Sequence, residues 1–217
     1  MRKTALYLVL AFATVAISAY GQRSKQNRYM FEEFTSGQVL MKNRGVVTTT
    51  LNYDWINQEI NYFNNDEQMI LTGLETIDTV YIADRKFIPY GTFFLEVVSV
   101  ADDYLYINWK MDIKNKGKEG PMGTTSHSIT SQKMDMSSQR GQGIERSELY
   151  VYDASFNNTY YIRVDNKFKT FNSEKSFLKL FPTEKSEEIK SYMKKQGIDI
   201  KKPSDVIDLT YFCMALK

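Results

Sequence analysis

Short β-type segments recur along most of this chain, and they constrain its fold more than any other feature of the sequence. Each segment is rich in β-branched and aromatic residues, and Gly, Asn or Asp marks several of the turns between them. The predicted strands are 38–42, 46–52, 58–63, 67–71, 76–83, 92–100, 104–111, 147–153, 159–164 and 167–171. Short strands at spacings of about ten residues predict an antiparallel β-meander that curls into a sandwich or partial barrel.

The hydrophobic periodicity becomes helical after residue 172. Ser173 suits the N-cap of a first short helix that ends before Pro182. Gly197 suits the C-terminal end of a second helix, and Pro203 suits the first turn of a third. The apolar residues at helical spacing in these last two helices are Ile189, Tyr192, Met193, Val206, Leu209, Phe212, Cys213 and Leu216. Helices this short are unstable alone, so we predict an α+β fold in which three short helices pack on the sheet.

The first 21 residues have the composition of a secretory signal peptide. Arg2 and Lys3 precede an uncharged apolar run at 5–19, and small residues stand at the −3 and −1 positions of a cut before Gln22. That run is shorter than the roughly 20 residues that cross a bilayer. We therefore expect cleavage, a periplasmic or extracellular mature protein, and no transmembrane segment after cleavage.

These patterns divide the chain into three parts. Residues 1–21 are the signal peptide, 22–171 form the β-rich meander, and 172–217 form the helical segment, which makes one structural unit with the sheet. A polar stretch at 114–146 interrupts the meander and has little apolar periodicity. Loops of about 30 residues are uncommon in compact domains, so we interpret this stretch as a mobile or functional flap.

Charge and rare residue types argue against several functional classes. Lys and Arg number 28 and Asp and Glu 26, so loss of the leader's two basic residues makes the mature chain formally neutral. A neutral chain has no overall field to attract nucleic acid, and we predict no nucleic-acid partner. One histidine, His127, and one cysteine, Cys213, argue against a zinc site. We predict no metal, no cofactor and no catalytic residue, and we expect Cys213 to be a buried apolar side chain.

Two predicted strands have a tyrosine face opposite an aliphatic face. Tyr104 and Tyr106 share one side of the first strand, and Tyr150 and Tyr152 share one side of the second. Tyrosine rings offer contact area at low entropic cost and carry a polar tip, which suits stacking on a sugar or gripping a peptide. The alternative is that this face lies beneath the C-terminal helices, with the hydroxyl groups reaching water.

Carboxylates keep a hydrolase open as an alternative, since glycosidases need only two of them. Glu96 stands out because it interrupts an apolar run between Leu95 and Val97. We interpret Glu96 as part of a solvated face or as the partner of Arg85 or Lys86. A hydrolase has no further support in the sequence.

Several motifs, taken in order, resemble those of a group of bacterial proteins. They are Asp84-Arg85-Lys86-Phe87, Phe94-Leu95-Glu96-Val97, the polar-loop motif at 123–129 (GTTSHSI) and the run at 171–182 (FNSEKSFLKLFP). Together with the leader, they resemble uncharacterised exported β-rich proteins of Gram-negative bacteria that live on or in hosts. The resemblance implies export and a cell-envelope setting, and it implies no activity and no functional residues.

The function that these observations favour is that of an exported, non-enzymatic protein of the cell envelope or extracellular space. We expect it to bind a macromolecular partner, an envelope protein or a glycan, through the sheet and the long polar loop. A first alternative is a carbohydrate-binding module that uses Tyr104, Tyr106, Tyr150 and Tyr152. A second alternative is a carboxylate-dependent hydrolase.

Overall fold

A computed structural model of the chain describes residues 28–65, 67–119, 125–126, 150–164 and 166–215. The strands are β1 (Thr35–Met41), β2 (Val46–Asp54), β3 (Glu59–Asn64), β4 (Glu67–Ile70), β5 (Ile77–Ile82), β6 (Arg85–Tyr90), β7 (Phe93–Val100), β8 (Asp103–Asn108), β9 (Met111–Glu119), β10 (Thr125–Ser126), β11 (Tyr150–Phe156), β12 (Thr159–Val164) and β13 (Lys167–Phe171). The helices are α1 (Glu174–Leu178), α2 (Thr183–Gln196) and α3 (Pro203–Met214). The expected signal peptide at 1–21 lies outside the described residues.

Ten strands form one open antiparallel sheet in the order β13-β12-β8-β7-β6-β5-β1-β2-β3-β4. Two meanders share a starting point in this sheet, because β1 pairs with β2 on one side and with β5 on the other. A smaller sheet has the order β10-β9-β11. Together with three helices near the C-terminus, these sheets confirm the predicted α+β fold built on an antiparallel meander.

Strand β6 is not among the strands predicted from sequence, and its charged start and Pro89 are atypical of a strand inside a sheet. Pro89 lies opposite Phe94 of β7, inside a sheet in which proline is normally confined to edges. It is tolerated because β5 pairs with β6 only as far as Phe87. Pro89 therefore lies where β6 is locally an edge on its β5 side.

The polar stretch begins later than predicted. β9 continues to Glu119, so the predicted loop start at 114 is wrong. β11 is described from Tyr150 onward, and the predicted strand start at 147 lies outside the described residues. The later part of β9 has little apolar periodicity, and its pairing with β11 makes it a strand. The register of this pairing places Lys114 opposite Asp153. The rest of the predicted loop, 120–124 and 127–146, lies outside the described residues.

Local signals in the helical segment act as predicted. Ser173 Oγ accepts a hydrogen bond from the Ser176 backbone N–H at 3.3 Å, and Ser176 Oγ accepts one from the Ser173 backbone N–H at 3.0 Å. These reciprocal bonds form a capping box at the start of α1. Gly197 ends α2 with a left-handed φ of 65°, and Pro203 is the first residue of α3.

The sheet face that the helices cover, here called the inner face, holds two apolar clusters. The first packs the helices on β7, β8, β12 and β13, and its buried members are Val100, Leu105, Ile107, Tyr160, Ile162, Phe171, Phe177, Ile189, Met193, Ile200, Val206, Leu209 and Cys213. The second fills the other half of the face, and its buried members are Val39, Leu51, Tyr53, Ile60, Ile77, Val80, Ile82, Phe87 and Phe94. Trp109 packs against both clusters and joins them. The predicted packing of the helices on the sheet is thus confirmed.

Candidate binding surface

The outer face of the large sheet, opposite the helices, carries an aromatic cluster. Its buried members are Leu95, Tyr106 and Tyr161, and its half-buried members are Ile88, Tyr90, Phe93, Val97 and Phe168. Side chains alternate along a strand, so Tyr106 points outward while its neighbours Leu105 and Ile107 join the first inner cluster. Every cluster residue belongs to β6, β7, β8, β12 or β13, and none of the described helices contributes a residue to it.

Phe168 lies at the centre of the aromatic cluster. Its ring packs edge-to-face against Tyr90, Tyr106 and Tyr161, with centroid separations of 5.2, 4.8 and 6.2 Å. Each such pair contributes about 0.5–1.5 kcal/mol beyond the area it buries. Arg163 lies opposite Phe168 in the β12–β13 register, and its guanidinium carbon is 5.2 Å from the Phe168 ring centre. Ring–ring packing and one cation–π contact therefore fix the positions of the side chains in the cluster.

Tyr104 is the exposed ring beside the cluster. It lies on the same side of β8 as Tyr106, with the two ring centroids 6.3 Å apart, and 48% of it is exposed. Burial raises the pKa of Tyr106 and of Tyr161, so both hydroxyl groups stay neutral at physiological pH. An accessible ring beside neutral phenol hydroxyls suits binding by stacking and hydrogen bonding.

An open groove of about 650 Å³ adjoins the aromatic cluster. Its lining residues are Lys42, Leu74, Glu75, Ile77, Asp78, Thr79, Lys86, Ile88, Pro89 and Gly91. Ile88 belongs to the groove and to the cluster, so the two form one continuous surface. The pairing of β5 with β6 ends at Phe87, and the groove lies where the two strands part.

The groove contains charges of both signs. Lys42 Nζ donates a hydrogen bond to the Glu75 backbone carbonyl at 2.8 Å. Thr79 Oγ1 donates to the Asp78 carboxylate at 3.0 Å. Charged and hydroxyl groups placed beside apolar rings are the combination that fixes the orientation of a bound molecule.

The structure separates the four predicted tyrosines. Tyr104 and Tyr106 lie on β8 in the large sheet, whereas Tyr150 and Tyr152 lie on β11 in the smaller sheet. Tyr106 is only 6% exposed and has Tyr161 as its cross-strand neighbour. The side chains of Tyr150 and Tyr152 lie outside the described residues. The alternative that the helices cover the tyrosine face is wrong for β8, because its aliphatic face is the covered one.

Comparison of the chain with protein-family models, with curated proteins and with solved structures gives no match. The chemistry of the surface therefore has to be inferred from its own residues. These are self-packed aromatic rings at the centre, one exposed tyrosine at the side, and a groove of mixed charge alongside. Together they suit a large ligand with both apolar and polar groups.

Glu96 lies on the inner face, where the two inner clusters meet, and not in the groove. It is buried, accepts a hydrogen bond from Trp109 Nε1–H, and forms an ion pair with Arg85 at 3.3 Å. Burial raises the pKa of Glu96, although the Arg85 cation and the Trp109 hydrogen bond act in the opposite direction. The predicted pairing with Arg85 is confirmed, and Glu96 is a structural carboxylate rather than a candidate for glycoside hydrolysis.

A second buried carboxylate fixes the segment before β1. Asp54 is fully buried, pairs with Arg28, and accepts a hydrogen bond from Asn57 Nδ2 at 3.0 Å. The buried Asn52 side chain accepts from the Phe31 backbone N–H at 3.1 Å and donates to the Phe31 carbonyl at 2.9 Å. These buried polar groups attach the segment before β1 to β2, so Asn52 and Asp54 also have a structural role.

Cys213 packs inside the first inner cluster, as expected of an apolar side chain. Burial raises the pKa of its thiol to about 12, which keeps the thiol protonated and unreactive. Within the described ranges, no group of three or more His, Cys, Asp or Glu side chains is placed to hold a metal ion. None of the helices in the described part of the chain is long and apolar enough to cross a membrane. His127 lies outside the described residues.

Three aromatic residues of this surface were not among the predicted site residues: Tyr90, Tyr161 and the central Phe168. One signal was present, because adjacent tyrosines at 160 and 161 must point to opposite faces of their strand. The missing information was that β12 lies beside β8. Three strands of the smaller sheet lie between them in the sequence, so their adjacency has no local signature.

Proposed function

We propose that this protein is an exported, non-enzymatic binding protein whose partner docks on the outer face of the large sheet. The observation that carries the proposal is the aromatic cluster. An antiparallel sheet covered on one face normally presents polar side chains on the other. Here five strands present apolar and aromatic side chains on the face that the helices leave uncovered. Apolar surface retained in this position marks an interaction site.

The size of the surface supports a macromolecular partner. The cluster spans β6, β7, β8, β12 and β13, which are consecutive in the sheet. Strands lie about 4.8 Å apart, so five of them span roughly 20 Å before the groove is added. An extended surface of this length suits a protein or a polymer rather than a small metabolite.

A glycan is the second candidate, and Tyr104 favours it. Its ring is accessible, and the adjoining groove supplies lysine, carboxylate and hydroxyl groups that can bind sugar hydroxyls. The self-packed rings around Phe168 favour a protein partner instead, because edge-to-face packing leaves ring edges rather than flat ring faces toward solvent. Both candidates use the same face.

Export is part of the proposal because of the N-terminal sequence. The basic start, the apolar run at 5–19 and the small residues before Gln22 support a cleaved leader. The resemblance to exported envelope proteins points in the same direction. A periplasmic or extracellular setting would bring the outer face into contact with envelope proteins and envelope glycans.

Site-specific photo-crosslinking tests this function. A benzophenone amino acid replaces Tyr104 in one variant and Tyr211 in a control variant, because Tyr211 is also exposed but lies on α3 on the helical side. We expect discrete adducts in the envelope fraction from position 104 and none from position 211. Peptides of a second protein in the mass spectrum of the adduct identify a protein partner, and loss of the added mass on glycosidase treatment identifies a glycan. No adduct at 104, or equal adducts at both positions, contradicts the proposal.

A further inference from the structure

A row of directly opposed residues crosses the outer face of the large sheet from β13 to β2. Each member is paired with the next in the register of neighbouring strands. Opposed residues of an antiparallel pair carry their side chains on the same face. Tyr161, Tyr106 and Val97 belong to the outer aromatic cluster, so the whole row points outward. We call it the cross-strand row, and its residues are Thr170, Tyr161, Tyr106, Val97, Lys86, Tyr81, Gln38 and Thr48.

Two exposed tyrosines on this face each lie beside a cation. Tyr81 is 37% exposed, and Lys86 opposes it in the β5–β6 register. Tyr104 is 48% exposed, and the β12–β8 register, continued by one residue, brings Arg163 opposite it. Each pair combines an accessible ring with a positive charge on the neighbouring strand. We call them the two ring–cation pairs.

The two ring–cation pairs are arranged as repeats of one unit. In the sheet order from β13 towards β4, Arg163 precedes Tyr104, and Lys86 precedes Tyr81 in the same way. Corresponding members lie three strands and two residues apart, which is roughly 16 Å at the usual strand spacing and rise. Two equivalent sites at a fixed separation suit a ligand that itself repeats.

The outward-facing charge on this part of the sheet is positive. The charged side chains that β12, β8, β7 and β6 direct outward are Arg163 and Lys86. Carboxylates lie at the margins, in turns, at the start of β8 or in the groove, and they are Asp84, Asp102, Asp103, Glu75 and Asp78. A positive surface complements an anionic ligand, and a guanidinium pairs with a carboxylate through two parallel hydrogen bonds.

We infer that the outer face binds an acidic polysaccharide, a chain in which sugars bearing carboxylates recur, and that this chain lies across the strands. Sugar rings stack on Tyr104 and Tyr81. Carboxylates of the same chain pair with Arg163 and Lys86. The amide of Gln38, next to Tyr81 in the row, binds sugar hydroxyls. This inference selects the glycan among the candidate partners, and it rests on the proposed function.

The strand pairing argues against a peptide that adds as a further strand. β12, β8, β7, β6 and β5 have a paired strand on both sides along the cross-strand row, so their backbone groups are already used there. Strand addition needs a sheet edge. Recognition at the row therefore depends on side chains, as stacking on rings and pairing with cations require.

The density of charge argues against a nucleic acid. Each strand of a DNA duplex carries one charge per roughly 3.4 Å. Cations separated by roughly 16 Å would leave most of those charges without a partner. A polysaccharide in which only some sugars carry a carboxylate matches the spacing better. The export that forms part of the proposed function also favours a glycan, because glycans are abundant at the cell envelope.

The twist of the sheet defines the form of the bound chain. Neighbouring strands rotate by roughly 20–25°, so the face turns by about 60–75° between the strand of Tyr104 and that of Tyr81. A single chain follows this turn by rotation about its glycosidic bonds. A rigid array of parallel chains does not follow it. The expected ligand is therefore a single soluble chain rather than a crystalline polysaccharide.

Affinity electrophoresis of the full chain through gels that contain defined polysaccharides tests the inference. The acidic probes are hyaluronan, alginate and polygalacturonate, and the neutral probes are their carboxyl-reduced forms and dextran. We expect retardation by at least one acidic probe, with at least tenfold weaker binding to its reduced form, and weaker binding as salt increases. No retardation by any acidic probe overturns the inference. Equal binding of the reduced form overturns it too, as does tighter binding of single-stranded oligothymidylate.

Variants of the two ring–cation pairs test the binding site. Tyr81→Ala should weaken binding roughly five- to tenfold, whereas Tyr81→Phe keeps the ring and should retain most of the affinity. Lys86→Gln combined with Arg163→Gln should weaken binding about tenfold and remove most of its salt dependence. The controls, on the helical side, are Tyr211→Ala and Lys194→Gln, which should bind as the unmodified chain does.

Circular dichroism confirms that each variant is folded. Unchanged binding of Tyr81→Ala and of the double variant overturns the inference. Protein adducts from a crosslinker at position 104, without binding of any acidic polysaccharide, contradict this inference and leave the proposed function in place. Absence of both adducts and polysaccharide binding contradicts the two together.

Discussion

The two sides of β8 differ in what covers them. Leu105 and Ile107 are fully buried on the inner face, where residues of all three helices complete the cluster. Tyr106 is nearly as well buried on the outer face. Within the described part of the chain, its cluster consists of strand residues, and its neighbour Tyr104 remains half exposed. One face is a closed core. On the other face, side chains of the described strands pack on one another, and no residue of the described helices joins them.

The two faces show that apolar residues in a strand can contribute to stability to different degrees. Fully burying a side chain such as Leu105 stabilises the fold by about 1.5–3 kcal/mol. The outer cluster contributes less to stability, because Phe168 and Tyr90 keep part of their surface in water. The proposed binding surface rests on this half-buried aromatic layer, and the two faces should respond differently to the same substitution.

The largest effect should come from a charge on the inner face. Leu209→Asp places a carboxylate in the buried contact between α3 and the sheet, without a partner for it. We expect loss of soluble, folded protein. Tyr211→Asp adds the same charge two residues later, at a side chain that is 59% exposed, and should express as the unmodified chain does. Soluble yield and circular dichroism measure both, and a folded Leu209→Asp variant would contradict the position of α3.

A smaller difference should separate truncations on the two sides of β8. Ile107→Ala leaves a cavity in the closed core and should lower the free energy of unfolding by about 2–5 kcal/mol. Tyr104→Ala removes an exposed ring and should lower it by about 1 kcal/mol or less, while reducing partner capture. Urea unfolding of both variants provides the comparison. Equal losses of stability would mean that the outer face is also part of a closed core.

The assignment of side chains to the two faces of β8 could be predicted from the sequence, whereas the identity of the covered face could not. Alternation along β8 correctly separated Tyr104 and Tyr106 from Leu105 and Ile107, and the caps of α1 and α2 lay at Ser173 and Gly197 as predicted. Local patterns report which side chains share a face, since that depends on neighbours in the chain.

Which face the helices cover is not a local property, and the sequence left it open. It depends on β8 pairing with β12, across the residues of the smaller sheet. The groove could not be predicted either, because it lies where β5 and β6 part. Pro89 is atypical of a strand, so β6 itself is not recognisable from the sequence. The aromatic residues around Phe168 come from strands that are distant in the chain, so no periodicity links them.

The smallest effect should be the pH dependence of stability that Glu96, the buried carboxylate of the inner face, produces. The raised pKa of Glu96 means that the folded chain holds this proton more tightly than the unfolded chain, whose value is near 4.5. The contribution of Glu96 to stability is therefore fully present below pH 4.5 and declines as pH rises through the raised pKa. Glu96→Gln stays neutral and keeps an acceptor for Trp109. Its stability relative to the unmodified chain should increase from pH 4 to pH 7 in urea unfolding, whereas a constant difference would contradict the effect of burial.

Thiol labelling of Tyr104→Cys tests the contrast between the two faces most directly. This variant has one cysteine on the outer face and the native Cys213 in the inner core, so each molecule contains its own reference. Mass spectrometry after brief exposure of the folded protein to iodoacetamide should show one label, at position 104, and two labels after unfolding in urea. Protection of position 104 equal to that of Cys213 would show that the outer face is closed, and it would remove the basis for a binding surface there.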